Sequence, residues 1–130
     1  MSKATAFAPG SIGNVGPGFD VLGLAVEGIG DRVTVELTRK ASRVDAVTGR
    51  DAELVPLDAE RNCAAIAANA LLRPYGFKAI VSIHKGLALA GGMGGEYRRG
   101  PPGRRRSRHA GAAVAGVLAC PRAPGAERPP

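Results

Sequence analysis

Residues 9–20 of the chain read Pro-Gly-Ser-Ile-Gly-Asn-Val-Gly-Pro-Gly-Phe-Asp, and the first ten of them hold four glycines and two prolines. This density of glycine and proline predicts an irregular backbone rather than a helix. Glycines let a ligand approach the main chain closely, and Asn14 and Asp20 place short polar side chains in or beside the turn. A carboxylate suits an ammonium group, and a carboxamide both donates and accepts hydrogen bonds. The plainer alternative is that Asn14 caps a turn and Asp20 is solvated.

A second glycine-rich segment covers residues 85–95, Lys-Gly-Leu-Ala-Leu-Ala-Gly-Gly-Met-Gly-Gly. Consecutive backbone amides in such a segment can form a cradle for phosphate oxygens. It is not a Walker loop, because Gly92 and Met93 stand where Lys and Ser or Thr would be required. A flexible connection without a ligand is the alternative interpretation.

The rest of the first 95 residues predicts a small mixed fold. Asp58 is the expected N-cap of one helix, which Pro74 should stop because proline cannot continue the hydrogen-bond ladder. Residues 19–26 are apolar and fit either a strand or a helical turn. The order of elements predicts an α+β fold, that is, a two-layer α/β arrangement. The strands are expected at residues 5–8, where Pro9 and Gly10 would end the strand, and at residues 32–38, 44–47 and 77–83.

Charge and hydrophobic content divide the chain into two parts. Residues 1–95 carry 10 Lys and Arg against 9 Asp and Glu, whereas residues 96–130 carry 8 Arg and 2 Glu. Val, Ile, Leu and Phe supply 26 of the first 95 residues but only 3 of the last 35. The second proportion is below the roughly 20% at which segments fail to collapse. We therefore expect a partial folded domain over residues 1–95 and a disordered Arg/Gly/Pro/Ala-rich tail over residues 96–130.

Several classes of protein are disfavoured by the same sequence. No run approaches the roughly 18 consecutive apolar residues of a membrane span. Residues 1–10 lack the continuous apolar stretch of a secretion signal. Cys63 and Cys120 lie far apart and form no CxxC pair, which argues against a zinc site or a disulfide framework. These features favour a cytoplasmic protein.

Together, the two glycine-rich segments resemble the amino-terminal domain of the GHMP family of small-molecule kinases, in its homoserine kinase branch. Members begin with a pattern close to P-x-S-x-x-N-x-G-x-G-F-D-x-L-G-x-A, and other branches usually carry Gly-Glu-His in this region. Residues 85–94 are similar to the phosphate loop of the family. The resemblance covers about residues 3–95. The residues that match the first pattern are Pro9, Ser11, Asn14, Gly16, Gly18, Phe19, Asp20, Leu22, Gly23 and Ala25.

The resemblance implies a set of functional residues and a reaction. Asn14 and Asp20 would hold the amino-acid end of L-homoserine, and Asn62 would open a helix beside the adenine pocket. Mg²⁺ would bridge the phosphates of ATP, and the γ-phosphoryl group would pass to the homoserine hydroxyl, a step of threonine biosynthesis. The resemblance gives no catalytic residue and no metal ligand in this chain. The residues expected to contact ATP are Asn62, Lys85, Gly91, Gly92, Gly94 and Gly95.

The resemblance stops after Gly94, where the family carries two serines and a helix of small residues. Glu96 would place a carboxylate near the polyanionic phosphates, and Pro101 and Pro102 disfavour the helix. We expect that the sequence from about residue 96 onward is read in a shifted frame or crosses an assembly or gene-decay junction. The expectation fails if restoring one or two bases near codon 95 recovers no serine-rich helix. The chain would then be a truncated and inactive kinase, or half of a split kinase.

The alternative function is nucleic-acid binding by the basic tail. Residues 104–108, Arg-Arg-Arg-Ser-Arg, would attract phosphate backbones non-specifically. Tyr97 is the one aromatic residue near this run, and no recognised binding motif accompanies it. Incidental charge is the favoured interpretation.

Overall fold

A computed structural model describes residues 2–12, 15–18, 22–89 and 93 of the chain. These residues form four strands and one α-helix, with short 3-10 turns at Gly16–Gly18, Ala52–Leu54 and Arg73–Tyr75. The elements confirm the predicted α+β class. In chain order they are β1 (Lys3–Ile12), β2 (Leu24–Thr38), β3 (Arg43–Gly49), α1 (Cys63–Leu72) and β4 (Lys78–Lys85).

The strands form one mixed sheet in the order β1-β2-β4-β3. β2 runs antiparallel to both β1 and β4, whereas β3 runs parallel to β4. The prediction that Pro9 and Gly10 end the first strand is wrong, because β1 continues to Ile12. The pairing register shifts between Pro9 and Gly10, and an irregularity of this kind accommodates a proline that cannot donate to the ladder.

β2 contains the predicted strand at residues 32–38 and confirms its alternation. Val33 and Val35 are buried, while Arg32 and Thr34 lie on the opposite and more accessible face. Of the apolar segment 19–26, residues 24–26 belong to β2 and residues 19–21 lie outside the described part. The strand predicted at residues 44–47 is β3, and the one predicted at residues 77–83 is β4.

The predicted N-cap of the helix is wrong, because α1 begins later in the chain than a cap at Asp58 would start it. Asn62 is the N-cap, and its Oδ1 atom accepts hydrogen bonds from the backbone amides of Ala64 (3.0 Å) and Ala65 (3.2 Å). Asp58 instead closes a preceding turn, in which its carboxylate accepts from the amide of Glu60 at 2.9 Å. The helix ends before Pro74, as predicted.

Small side chains bring α1 close to the sheet. Ala64, Ala65 and Ala68 are fully buried in the same cluster as Val81 of β4. A polar bridge fixes the helix to the start of β4: Asn69 accepts from the amide of Ala79 at 3.0 Å and donates to the Ser42 hydroxyl at 2.6 Å. The core therefore lies between α1 and one face of the sheet.

None of the helical structure in the described part of the chain is both long and apolar enough to cross a membrane.

Candidate functional site

The structure describes only part of the predicted site. Asn62 and Lys85 lie within the described residues and are both buried. The basic run at residues 104–108 and the whole of residues 96–130 lie outside them, so the predicted division into a domain and a tail stays a prediction. The remaining predicted site residues also lie outside the described part: Asn14, Asp20, Gly91, Gly92, Gly94 and Gly95.

The two glycine-rich segments meet at the end of β1. The backbone amide of Ser11 donates to the carbonyl oxygen of Met93 at 3.1 Å. A Cβ atom at Gly10 would lie 2.9 Å from Met93 Cε and 3.0 Å from Leu87 Cδ2, so the absence of a side chain there permits the contact. The start of the first glycine-rich segment, at Gly10 and Ser11, thus lies against Leu87 and Met93 of the second, although the two segments are far apart in sequence.

A buried ion pair fixes the first residues of the second glycine-rich segment. Lys85 Nζ donates to Asp31 Oδ2 at 2.6 Å, with the Lys85 side chain fully buried and that of Asp31 5% exposed. The other carboxylate oxygen, Oδ1, accepts from the amides of Gly86 and Leu87, each at 3.0 Å. Such a pair is tolerated in a protein interior when further hydrogen bonds satisfy its charged groups. Asp31 therefore fixes the backbone where β4 passes into the glycine-rich segment.

Two close backbone approaches surround the same point. A Cβ atom at Gly86 would lie 2.1 Å from the carbonyl oxygen of Gly30, and one at Gly49 would lie 2.1 Å from that of Lys85. Gly49 also has a φ of +91°, in the region that favours glycine. The chain can converge around Lys85 only because these positions lack side chains.

A second carboxylate holds the segment further along. Asp51 Oδ2 accepts from the backbone amide of Leu89 at 2.9 Å. Asp51 has a φ of +51°, which makes it the one non-glycine residue with positive φ among those described. The segment that starts at Gly86 is therefore held by Asp31 at its first two amides and by Asp51 at Leu89.

Sequence reasoning missed Asp31 and Asp51, although one signal was available for the former. Asp31 directly follows Gly28, Ile29 and Gly30 and stands at the start of the alternating strand. An acidic residue there has to find a partner if the strand is central. Asp51 gave no such signal, because a polar residue that follows Gly49 and Arg50 is ordinary in a loop after a strand.

Both the oxygen and the nitrogen of the Asn62 side chain form hydrogen bonds within the protein. Besides capping α1, it donates through Nδ2 to the carbonyl oxygen of Pro56 at 2.9 Å. That bond positions the segment leading into the helix, which lines an open cavity of about 300 Å³ beside Asn62. The cavity lining combines aliphatic side chains with one cation and two carboxylates: Glu53, Leu54, Val55, Pro56, Leu57, Asp58 and Arg61.

The outer face of the sheet carries a shallower groove of about 190 Å³. The His84 ring shares a 3.0 Å hydrogen bond with the Thr48 hydroxyl there, and the Thr5 and Thr34 hydroxyls lie 2.8 Å apart. Across the residues that the structure describes, no three His, Cys, Asp or Glu side chains are grouped so as to hold a metal ion.

Comparison with known proteins identifies relatives of one kind. No family model matches the chain. It is 45% identical over 100 residues to homoserine kinase of Xanthomonas campestris pv. campestris, and 43% identical over 95 residues to homoserine kinase of Arabidopsis thaliana. These alignments cover 73% and 66% of this chain, but only 30% and 25% of the relatives. The chain thus spans about a third or less of the length of the curated relatives it matches.

The fold agrees with the sequence comparison. The crystal structure of homoserine kinase from Cytophaga hutchinsonii matches with a TM-score of 0.71 and 30% sequence identity, covering 91% of this chain and 35% of that one. Relatives with the same name occur in bacteria, a plant and an archaeon, Methanococcus maripaludis. By both sequence and fold, the matched part of this chain belongs to the homoserine kinase family.

Proposed function

We propose that this chain provides the ATP-facing and homoserine-facing part of a homoserine kinase, which transfers the γ-phosphoryl group of ATP to the hydroxyl of L-homoserine. The observation that carries the proposal is the contact between Ser11 and Met93. It brings the segment expected to bind the amino acid alongside the segment expected to bind phosphates. Phosphoryl transfer depends mainly on such positioning of donor and acceptor and on charge neutralisation.

The adenine base of ATP is assigned in this proposal to the cavity beside Asn62. Leu54 and Leu57 supply apolar surface there and are 47% and 62% exposed, so a planar base could cover them. Asn62 would act by holding the Pro56 carbonyl and the start of α1. Direct contact between Asn62 and ATP stays a prediction.

The phosphates are assigned to Gly91, Gly92, Gly94 and Gly95. The amides at the start of the segment are not assigned this role, because Asp31 and Asp51 already engage those of Gly86, Leu87 and Leu89. Lys85 Nζ is bonded to Asp31 within the protein, so contact between Lys85 and phosphate also stays a prediction. The amides of the later glycines are therefore the ones that we assign to the triphosphate.

The amino-acid end of homoserine is assigned to Asn14 and Asp20. Both follow β1 within the connection to β2, three and nine residues after Ser11. The Asp20 carboxylate would attract the ammonium group of the substrate, and Asn14 would complement its polar groups. Mg²⁺, which the family implies, would travel with the phosphates and neutralise part of their charge.

Binding measurements on the purified 130-residue chain test this proposal. We expect calorimetry to detect weak but measurable ATP binding in the presence of Mg²⁺. We expect Asp20→Asn to weaken homoserine binding at least about tenfold while leaving ATP affinity unchanged. Asp45→Asn is the matched control, because Asp45 is exposed on β3. A folded chain that binds neither ligand, or an Asp20→Asn variant that binds homoserine as well as the unaltered chain, would overturn the proposal.

We further propose that the 130-residue polypeptide by itself forms no measurable phosphohomoserine. One wall of a nucleotide site offers few preorganised contacts to offset the entropy of association. Phosphohomoserine formation above that of the Asp20→Asn variant would refute this second expectation.

A further inference from the structure

We infer that Asp51 is a positioning residue that sets the spacing between the adenine cavity and the phosphate-binding glycines. The inference rests on the proposed function and adds a residue that neither the glycine motifs nor the helix start indicated. Asp51 lies two residues before Glu53, where the lining of the cavity starts, and its carboxylate accepts from the amide of Leu89, two residues before Gly91. It therefore connects the backbone that leads into the cavity lining to the backbone that leads to Gly91.

The position of Asp51 argues for this long-range role over a local one. It stands at the N-cap of the 3-10 turn Ala52–Leu54, where aspartate usually accepts a hydrogen bond from the first turn. Within the described structure its side chain makes no capping hydrogen bond and instead accepts from an amide 38 positions away. The local turn therefore does not account for the carboxylate.

The backbone of Asp51 supports the same conclusion. A non-glycine residue with positive φ is strained, although aspartate tolerates that conformation better than most. Glycine would relieve the strain, so the presence of a side chain at position 51 has to be explained by a contact that the side chain makes. The hydrogen bond to Leu89 is that contact.

The bond has a defined structural consequence. Leu89 is half-buried against the hydrophobic core, and Asp31 already fixes Gly86 and Leu87. With Asp51 in place, the backbone that leads to Gly91 is held by hydrogen bonds at its start, at Gly86 and Leu87, and again at Leu89. Without the Asp51 carboxylate, packing would still hold the Leu89 side chain, but the last side-chain hydrogen bond to the described backbone before Gly91 would be at Leu87.

Two substitutions at one position separate the side chain from the backbone. Asp51→Gly keeps the left-handed conformation accessible and removes the acceptor, whereas Asp51→Asn keeps an acceptor oxygen and tolerates the same conformation. We expect Asp51→Gly to accelerate hydrogen exchange at the Leu89 amide about tenfold and to weaken ATP binding about tenfold. Adenosine binding, which needs only the cavity, should change less than about twofold. Asp51→Asn should recover most of both losses.

The comparison of ATP with adenosine distinguishes positioning from general damage. Equal losses for ATP and adenosine, or unchanged ATP binding in Asp51→Gly, would overturn the inference. If Asp51→Gly does not fold, Asp51→Asn decides, because its weaker neutral acceptor should still reduce ATP binding roughly two- to threefold more than adenosine binding; parallel losses would refute the inference. If the unaltered chain binds neither ligand, the proposed function fails and this role falls with it, while Leu89 exchange still reports whether Asp51 anchors the segment.

Discussion

The two ends of β2 differ in burial, although both are rich in apolar residues. Residues 32–38 pair with β4, and most of them also with β1, and Val33 and Val35 are almost inaccessible. Residues 24–26 pair with β1 alone in the described structure, and Leu24 is 55% exposed. Apolar composition is thus not sufficient for burial; a residue is buried here when a second strand and α1 cover it.

The boundary between these two ends coincides with the site. β4 ends at Lys85, close to the point where residues 27–29 interrupt the pairing of β1 with β2. Asp31 stands at that boundary and holds the backbone that leaves β4. The second glycine-rich segment therefore starts where regular pairing stops, and Asp31 holds its first two amides next to the end of β4.

The largest expected effect is at this boundary. Lys85→Met would leave the Asp31 carboxylate buried without a cation, and we expect the free energy of unfolding to fall by about 3–5 kcal/mol. Urea denaturation followed by circular dichroism measures it. The double variant Asp31→Asn with Lys85→Met should recover part of the loss, because no buried charge remains unpaired. A loss below about 1 kcal/mol in the single variant would show that water reaches the pair.

A smaller effect compares the two ends of β2 directly. Val35→Ala removes buried methyl groups from the covered end, and we expect a loss of about 2 kcal/mol. Leu24→Ala removes more atoms from the open end, yet its cost should stay within about 0.5 kcal/mol because the side chain is largely exposed. Both values come from the same urea titrations. Equal losses would mean that the open end is covered in solution, contrary to the comparison.

The start of α1, which covers the buried end of the sheet, gives the next effect. Asn62→Ala removes the acceptor of two helix amides and the donor to Pro56, and we expect a loss of about 1–2 kcal/mol. Asp58→Ala is the matched control and should cost about 0.5 kcal/mol, since its side chain accepts only in an exposed turn. If Asp58→Ala were the more damaging substitution, the helix would start where the sequence pattern placed it.

These residues also show how far the sequence could predict the structure. Alternation identified residues 32–38, because one face of that strand is buried and the other is accessible. Cap propensity alone misplaced the helix start because Asp58 and Asn62 are both good caps, whereas the family resemblance placed a helix start at Asn62, which the burial of Ala64 and Ala65 supports. The end of the first strand was misplaced because tertiary pairing with β2 carries β1 past Pro9.

The site was predictable at the level of segments but not of supporting side chains. Two glycine-rich segments stood out by composition. Their contact at Ser11 and Met93 could be recognised only from the folded structure. Asp31 and Asp51 act through partners 54 and 38 positions away. Local sequence patterns do not predict contacts between residues so far apart in the chain. The role of these carboxylates therefore became evident only in the folded structure, where they contact the second segment.

The smallest expected effect is at the exposed ion pair of Arg43 and Asp45. Its comparison with the buried Asp31–Lys85 pair shows how much burial adds to the effect of an ion pair on stability. Arg43 Nε lies 3.2 Å from Asp45 Oδ1, but the two side chains are 61% and 53% exposed. Water and salt screen such a pair, and its formation restricts two side chains. We expect Asp45→Asn to change the free energy of unfolding by less than about 0.5 kcal/mol, and by even less at high salt. A loss comparable to that of Lys85→Met would show that contact between opposite charges, rather than removal from water, makes the Asp31–Lys85 pair important to this fold.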